Sequence, residues 1–220
     1  MSNDGPAAQE GGAFPPGAFR RWDEGDDAEF YVEPRLVVHI DDPAIAALGR
    51  YFAATLPKNP AILDLMSSWR SHLPATFAKQ RLVGLGLNKI ELNENPQLDE
   101  RIVHNLNANP TLPLKDATFD AAIVTVSIQY MTRPVEVFRE VRRCLKPGAA
   151  FHVAYSNRMF PTKAVEIWKA LGDRQHGTLI ERYFALSGGW TVAEWLDVGP
   201  KPPGQSDPLW VVRAARTQES

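Results

Sequence analysis

The stretch that decides the fold is "FDAAIVTVSIQYMTRPVEVFREVRRCLKPGAAFHVAYS", residues 119–156. Residues 119–128 are mostly apolar at both alternating sets of positions, which is typical of a strand buried on both faces. Residues 134–148 predict a helix, because a proline opens them, apolar residues recur at helical spacing and a Pro-Gly pair ends them. A second apolar run follows at 149–156. A strand, a helix and another strand in this order predict a parallel β-α-β unit.

Apolar runs and helical patterns continue to alternate on both sides of this unit. The predicted strands are 61–65, 81–87, 101–106, 119–128, 149–156, 190–198 and 209–216. The predicted helices lie near 42–56, 71–78, 89–95, 134–148, 162–171 and 178–189. This order predicts an α/β fold: a Rossmann-like, doubly wound, mostly parallel sheet of seven strands with an antiparallel terminal strand. The carboxyl ends of the first and fourth strands should then meet at the switch point, where such sheets bind ligands.

The composition divides the chain into three parts. Residues 1–28 are rich in Gly, Pro, Ala and acidic residues, and we expect them to form a disordered acidic tail. Residues 29–60 should form an N-terminal segment and a cap helix, which begins near Asp42 and Pro43. Residues 61–216 should form the sheet domain.

The overall charge and the cysteine content exclude several classes of protein. The formal net charge is −2, and the chain beyond the acidic N-terminal part has no concentrated basic surplus, so no nucleic-acid partner is expected. No apolar stretch approaches the roughly 20 residues that span a bilayer, and no basic and apolar leader is recognised, so no membrane association is expected. Cys144 is the single cysteine, which suits a reducing compartment, and a cytoplasmic location is predicted. The oligomeric state stays open.

The segment from Leu112 to Arg158 resembles the class I S-adenosylmethionine-dependent methyltransferases, especially their type 11 group. It has a Leu-Pro turn, an acidic hairpin that ends in Phe-Asp, an apolar strand, a helix, and Leu-Lys-Pro-Gly before the next strand. Ala149 stands where the family has a second glycine. The resemblance covers roughly residues 42–216. It implies the methyltransferase fold, S-adenosylmethionine as cofactor, and methyl transfer to a small-molecule acceptor, since no further domain for a macromolecular substrate is recognised.

The turn after the first strand departs from the family's pattern. The family ends this strand with Asp/Glu-x-Gly-x-Gly-x-Gly, and this chain has Asp64, Met66, Ser68 and Arg70 at those places. S-adenosylmethionine carries no phosphate, so the electrostatic need for a glycine-rich loop is weaker than in a dinucleotide site. Ser67 and Ser68 leave room, and their hydroxyls could bond to the cofactor's carboxylate or amine. The resemblance implies that Asp64, Met66, Ser67 and Ser68 bind cofactor; alternatively, Asp64 ties down the turn.

The position that holds the ribose in the family is also altered. Gly86 stands where the family usually has an acid after the second strand. Asn88 can accept one ribose hydroxyl, or it can cap the following helix. Glu91 is the nearest acid, about one turn into that helix.

Two further groups of polar residues follow predicted strands. Asn105, Leu106 and Asn107 match the family's adenine position, although Asn residues are also good turn formers. Ser127 and Gln129 follow the fourth strand, and we expect them at the mouth of the pocket.

Methyl transfer requires alignment and, for some acceptors, a proton acceptor. His39 and Tyr130 are the candidates for this catalytic role, and His72 and His152 are less attractive. His39 lies in the N-terminal segment, where the family has a substrate lid, but it could also be a packed or surface histidine.

Two other functions remain open on the sequence. A methyltransferase-shaped protein without catalysis could bind a metabolite or a protein partner, and the altered turn favours this alternative. An NAD- or nucleotide-dependent enzyme is a third hypothesis. However, "GLG" at residues 84–86 belongs to the second strand and lacks the third glycine of a dinucleotide fingerprint.

Overall fold

The computed structural model describes residues 13–218. Its strands are β1 (Ala61–Leu65), β2 (Arg81–Gly86), β3 (Glu100–Val103), β4 (Phe119–Thr125), β5 (Leu145–Tyr155), β6 (Glu194–Asp197) and β7 (Trp210–Ala215). Its helices are α1 (Asp27–Phe30), α2 (Asp42–Thr55), α3 (Lys89–Glu94), α4 (Pro134–Cys144), α5 (Glu166–Lys169) and α6 (Asp173–Ser187), with a 3₁₀ turn at Ile128–Tyr130.

Within the described residues the strands form one seven-stranded sheet in the order β3-β2-β1-β4-β5-β7-β6. The first five strands of the chain pair in parallel, and β7 is antiparallel to both β5 and β6. The predicted fold class is therefore confirmed. In the β1–β4 pair, Leu65 lies opposite Val124, so the carboxyl ends of these two strands are neighbours.

Helices cover both faces of the sheet, and the strand sequences explain why. All residues of β1 are buried, because its two faces meet two separate hydrophobic clusters. On one face, Phe138 of α4 packs against Phe184 of α6 and Phe151 of β5. On the other face, α2 buries Phe52 against the sheet.

The helix expected near residues 71–78 is absent, and residues 66–80 run from β1 to β2 without a helix. Two side chains from the region after α3 form hydrogen bonds with carbonyl groups of this loop. Asn95 donates to the Ser68 carbonyl and Gln97 to the Leu73 carbonyl, each at 2.9 Å. His72 has a left-handed backbone with φ of 56°, and Pro74 lies two residues further on. A helix cannot continue through a left-handed residue, and a proline lacks the N–H that an inner helix position donates, which explains why no helix forms here.

The disordered tail predicted for residues 1–28 is wrong for the part that the structure describes, residues 13–28; residues 1–12 lie outside it. The amide of Ile167 donates to the Ala18 carbonyl and that of Asp23 to the Thr162 carbonyl, at 2.8 and 2.9 Å. Phe14 packs edge-on against Tyr183. The composition predicts a solvated segment, but some of its aromatic and acidic side chains contact the domain, among them Phe14 on Tyr183 and Asp27 on Lys163.

Two further boundaries differ from the sequence prediction. The helix expected over 162–171 is reduced to α5, because residues 161–165 form turns, and β5 begins at Leu145 rather than after Gly148. Among residues 13–218, no helix has both the length and the apolar character needed to cross a bilayer.

Candidate functional site

A pocket lies over the carboxyl ends of β1, β2 and β4, at the predicted switch point. The N-terminal segment from Tyr31 to His39 forms its roof, and we use "roof" for these residues below. The walls come from the turns after the strands, including Ser67 after β1, Asn88 after β2 and Ser127 after β4. Eleven of the twelve predicted site residues line this pocket: His39, Asp64, Met66, Ser67, Ser68, Asn88, Asn105, Leu106, Asn107, Ser127 and Tyr130.

Gln129 is the exception. Its side chain is buried in the 3₁₀ turn, and its amide donates to the carbonyls of Val126 and Arg158, at 2.9 and 3.2 Å. It is absent from the pocket lining because these loop carbonyls hold it in the interior.

The turn after β1 keeps a glycine-like backbone without a glycine. Met66, at the family's first glycine position, has φ of 52°. Left-handed backbone costs an L-residue about 1–2 kcal/mol, so this turn is strained. The Met66 side chain packs against the core beside the pocket, and the Arg70 guanidinium lies over the Trp69 ring at 4.4 Å.

The close approach that glycine usually permits occurs on the neighbouring strand. The Ser67 amide donates to the Leu85 carbonyl at 2.9 Å, which brings the turn across the end of β2. A Cβ atom on Gly86 would lie 2.1 Å from the Ser67 carbonyl oxygen. Gly86 therefore makes space for the turn, in the position where the family has a ribose-binding acid.

Asp64 is held by the hydroxyls of its own turn. Ser67 and Ser71 both donate to its Oδ2, at 2.7 and 2.6 Å, so Oδ1 is the oxygen left for a ligand. Burial raises the pKa of Asp64 to about 7, although the two hydrogen bonds oppose this shift. A carboxyl group with this pKa changes charge near neutral pH.

Ser68 and the roof meet at Glu91, which is buried on α3. The Ser68 hydroxyl donates to Oε2 of Glu91 at 2.6 Å, and the Arg35 amide donates to Oε1 at 2.7 Å. The hydroxyl protons of Ser67 and Ser68 are thus used on carboxylates. In this arrangement both hydroxyls can still accept a hydrogen bond, as from the cofactor's amine, while a bond from them to its carboxylate stays a prediction.

Of the two roles considered for Asn88, the structure shows that of a helix cap. Its Oδ1 accepts from the amides of Ile90 and Glu91, and its Nδ2 donates to the Tyr31 and Val32 carbonyls. All of the amide's donors and acceptors are in use, which leaves none for a ribose. Asn88 therefore caps α3 and fastens the roof.

The adenine-side asparagines also make internal bonds. Asn105 Oδ1 accepts from the amides of Asn107 and Ala108, as a turn former does. Asn107 donates to Asp27 and to the Tyr130 carbonyl, and accepts from the Thr132 amide. Leu106 is buried and forms an apolar wall of the pocket.

Three histidines line the pocket, His39, His72 and His104, and the first two have shifted pKa values. Burial lowers the pKa of His39, and burial together with the charge of Arg70 lowers that of His72 to about 4. Both imidazoles are therefore neutral at pH 7 and can accept a proton. His152 lies in β5, where its Nδ1 is 2.8 Å from the Tyr51 hydroxyl, and it is a core residue.

Tyr130 is placed at the pocket as predicted, but its hydroxyl already accepts a hydrogen bond from the Phe160 amide at 2.8 Å. Burial raises its pKa, so the phenol stays protonated and can donate. This environment favours a positioning contact over proton abstraction.

Two polar atoms in the lining have no partner among the described residues. Thr125 Oγ1, at the end of β4, and His72 Nδ1 are both buried without a hydrogen bond. Unpartnered buried polar atoms are costly, so these two indicate where a ligand would bond.

The sequence reasoning missed three charged residues of the lining. Asp27 and Lys163 form a buried ion pair at 3.3 Å, and Arg35 comes from the roof. The sequence pattern places Asp27 in the predicted tail and Lys163 in the helix predicted near 162–171. Only the apolar character of residues 29–40 signalled that this segment packs on the domain.

Comparisons with known proteins agree with this fold. Residues 71–153 match a family described as the methyltransferase domain, Methyltransf_11. A curated relative, the biotin biosynthesis bifunctional protein BioHC of Teredinibacter turnerae, is 26% identical over 95 residues, which are 43% of this chain and 16% of that protein.

Solved structures with low sequence identity share the fold. A chain in the complex of the Haloferax volcanii Trm112 methyltransferase activator with a methyltransferase has a TM-score of 0.60 at 15% identity, covering 80% of this chain and 91% of that one. An S-adenosylmethionine-dependent methyltransferase of Mesorhizobium loti has a TM-score of 0.54 at 17% identity, covering 77% and 98%. The [4+2]-cyclase SpnF has a TM-score of 0.57 at 16% identity, covering 78% and 81%.

The family match and the strand order confirm the resemblance found in the sequence. Residues 71–153 are similar to the methyltransferase domain family, and the described chain has the class I S-adenosylmethionine-dependent methyltransferase fold, with a divergent turn after its first strand.

Proposed function

We propose that this protein transfers a methyl group from S-adenosylmethionine to a small-molecule acceptor. The observation that carries the proposal is the pocket at the carboxyl ends of β1 and β4, whose lining includes Thr125 and His72, two residues that each have a buried, unpartnered polar atom. Its turn has lost the glycines, yet Met66 keeps the left-handed backbone and Gly86 supplies the space. The residues present are therefore compatible with the cofactor.

Particular residues are suited to particular parts of that cofactor. Asp64 Oδ1 can accept from its ammonium group, and Glu91 is the buried acid nearest to the end of β2, where a ribose would lie. Leu106 and the Asn105 amide are suited to the adenine ring and its edge. Thr125 and His72 offer the two unpartnered atoms.

The bound cofactor supplies an activated methyl group, so the protein needs to align the acceptor and exclude water. The roof is suited to the second task, because Trp69 Nε1 donates to the Val37 carbonyl at 2.9 Å and joins the roof to the turn. The neutral imidazole of His39 can accept a proton from the acceptor, and the Tyr130 phenol can position it.

A covered pocket favours a small acceptor over a macromolecule.

The buried free thiol of Cys144 suits the reducing conditions of the cytoplasm, where we propose that the protein acts.

Calorimetric titration with S-adenosylmethionine and S-adenosylhomocysteine tests the proposal. We expect micromolar affinity for both, and Ser68→Trp should weaken it strongly because the larger side chain fills the turn. Val192→Trp, at a position that is 92% exposed and outside the pocket, is the control and should bind like the natural protein. Absence of detectable heat at millimolar ligand in the folded natural protein would reject the cofactor assignment.

A second candidate is a methyltransferase fold that binds a metabolite or a protein partner without methyl transfer. Two observations favour it. The serine hydroxyls of the turn donate to Asp64 and Glu91, and no helix follows β1. The fold likeness to a protein described as a [4+2]-cyclase is consistent with such a divergence. The same titration separates the two candidates.

A further inference from the structure

Arg35 is a cation of the roof that the proposed function has not used. Its guanidinium carbon lies 4.1 Å from the ring centroid of Phe30, 4.9 Å from that of Phe160 and 5.5 Å from that of Tyr31. Arg35 is partly buried and lines the pocket. A guanidinium that lies over aromatic rings keeps its in-plane N–H donors available for a planar anion.

These donors are largely unused. Within residues 13–218 the guanidinium makes one hydrogen bond, from Nη2 to the Phe30 carbonyl at 3.3 Å, and it forms no ion pair with a carboxylate. Lys163, the other buried cation in the lining, differs, because it lies within 3.3 Å of carboxylate oxygens of Asp23 and Asp27.

The acids around the pocket have other partners. Asp27 is paired with Lys163 and Arg21, and Asp64 accepts from two serines. Glu91 bonds to the backbone amide of Arg35 rather than to its guanidinium. Arg35 is therefore a positioned cation without a counter-charge at contact distance in the described part of the chain.

Several groups that could otherwise bind a carboxylate are absent or already engaged. A helix N-terminus binds anions through its free amides, but residues 66–80 after β1 form no helix. The guanidinium of Arg70, which also lines the pocket, belongs to an exposed residue and lies over the Trp69 ring. The hydroxyl protons of Ser67 and Ser68 are used on Asp64 and Glu91.

We infer that Arg35 is the carboxylate-binding residue of this pocket, and that it holds a ligand carboxylate by two parallel N–H bonds. The carboxylate has two possible sources, the amino-acid end of the cofactor or the methyl acceptor. The first source rests on the proposed function, and the second does not.

The experiment compares ligands that differ at the carboxylate. S-adenosylhomocysteine is titrated against 5′-methylthioadenosine, which lacks the amino-acid end, and benzoate against benzamide. Each is measured by calorimetry on the natural protein, Arg35→Gln and Arg35→Lys. Arg174→Gln is the matched control, because Arg174 also lies over an aromatic ring, that of Trp195, but outside the pocket.

If the cofactor is the source, Arg35→Gln weakens S-adenosylhomocysteine about 10- to 100-fold and leaves methylthioadenosine unchanged. If the acceptor is the source, benzoate is weakened by a similar factor and benzamide is not. Arg35→Lys should lose less in either case, since it keeps the charge but not the fork. Arg174→Gln should resemble the natural protein.

Unchanged affinity of Arg35→Gln for both carboxylates overturns the inference, as does a natural protein that binds neither. Tighter binding of benzylamine by Arg35→Gln also overturns it, because Arg35 would then be a plug in a site for cations. If S-adenosylhomocysteine and benzoate each bind equally to the natural protein and to Arg35→Gln, the inference fails and the proposed function stands. If only benzoate depends on Arg35 and S-adenosylhomocysteine does not bind, the cofactor assignment fails and the inference stands.

Discussion

The backbone of Met66 shows how one residue can replace a glycine. Its φ of 52° is tolerated because the Ser67 amide bonds to Leu85 on the next strand and fixes the turn. The cost of a Cβ in this conformation, about 1–2 kcal/mol, is paid by the rest of the fold.

Comparison of two variants at this position tests that strain. Met66→Ala keeps a Cβ at positive φ, whereas Met66→Gly removes it, so we expect the glycine variant to be the more stable by about 1 kcal/mol. Urea unfolding measures the difference. At Ala53, an exposed position of α2, the order is reversed and Ala53→Gly should lose about 1 kcal/mol. A glycine penalty at position 66 like that at 53 would contradict the account.

The protonation of Asp64 should make the affinity of the pocket for S-adenosylhomocysteine depend on pH. Since burial raises its pKa to about 7, the carboxyl is mostly protonated below that pH and cannot pair as an anion with an ammonium group. Affinity for S-adenosylhomocysteine should therefore increase as pH rises toward about 7, by up to tenfold per pH unit, and then level off. Calorimetry between about pH 5.5 and 8.5 measures this.

Asp64→Asn is the control for this profile, because His39, whose pKa is lowered by burial, also lines the pocket and can titrate. Asp64→Asn should bind S-adenosylhomocysteine weakly, and its affinity should not increase with pH. If its affinity increases with pH as that of the natural protein does, Asp64 is not the titrating group.

At the scale of elements, the crossing of the β1 turn over the end of β2 is the feature that shapes the pocket. It requires a residue without Cβ at 86. We expect Gly86→Ala to destabilise the protein by about 1–3 kcal/mol, as overpacking does, and to impair ligand binding by moving the turn.

Gly49→Ala provides the opposite case for the same measurement. Gly49 lies within α2, and its nearest neighbour to an added Cβ is 3.7 Å away, an ordinary contact. This variant should gain about 0.5–1 kcal/mol from helix propensity. Equal effects of the two alanines in urea unfolding would show that the close contact at Gly86 relaxes freely.

The elements also show which parts of the structure could be read from the sequence. Strong apolar runs such as β4 and β5 were predicted, because burial on both faces leaves a local signal. The loop at 66–80 was not, since its carbonyls are satisfied by Asn95 and Gln97 from another part of the chain. Arg35 was not predicted for the same reason. The aromatic rings that it contacts belong to positions 30, 31 and 160, which only the fold brings together.

At the scale of the whole molecule, the N-terminal segment is held on the domain by a buried charge cluster. Lys163 is 1% exposed, and its Nζ donates to the Gly25 carbonyl at 2.8 Å and contacts Asp23 and Asp27. Removal of one member of such a cluster leaves an uncompensated buried charge.

We expect Lys163→Met to cost about 3–5 kcal/mol and to loosen residues 13–31 before the sheet. Hydrogen exchange should then be faster in this segment and unchanged in β4. Lys201→Met is the control, because its pair with Asp197 is exposed and contributes at most about 1 kcal/mol. Protection of residues 13–31 that equals the natural protein's would show that the cluster does not hold the segment.

The central claim is that a turn without glycine still leaves room for an adenosyl ligand over β1 and β2. A crystal structure of the protein grown with S-adenosylhomocysteine tests it most directly. We expect the ligand's ammonium group to lie beside Asp64 and its adenine against Leu106, with the Met66 side chain packed on the core. Clear density for Met66 or Arg70 filling that space, with no ligand there at millimolar concentration, would contradict it.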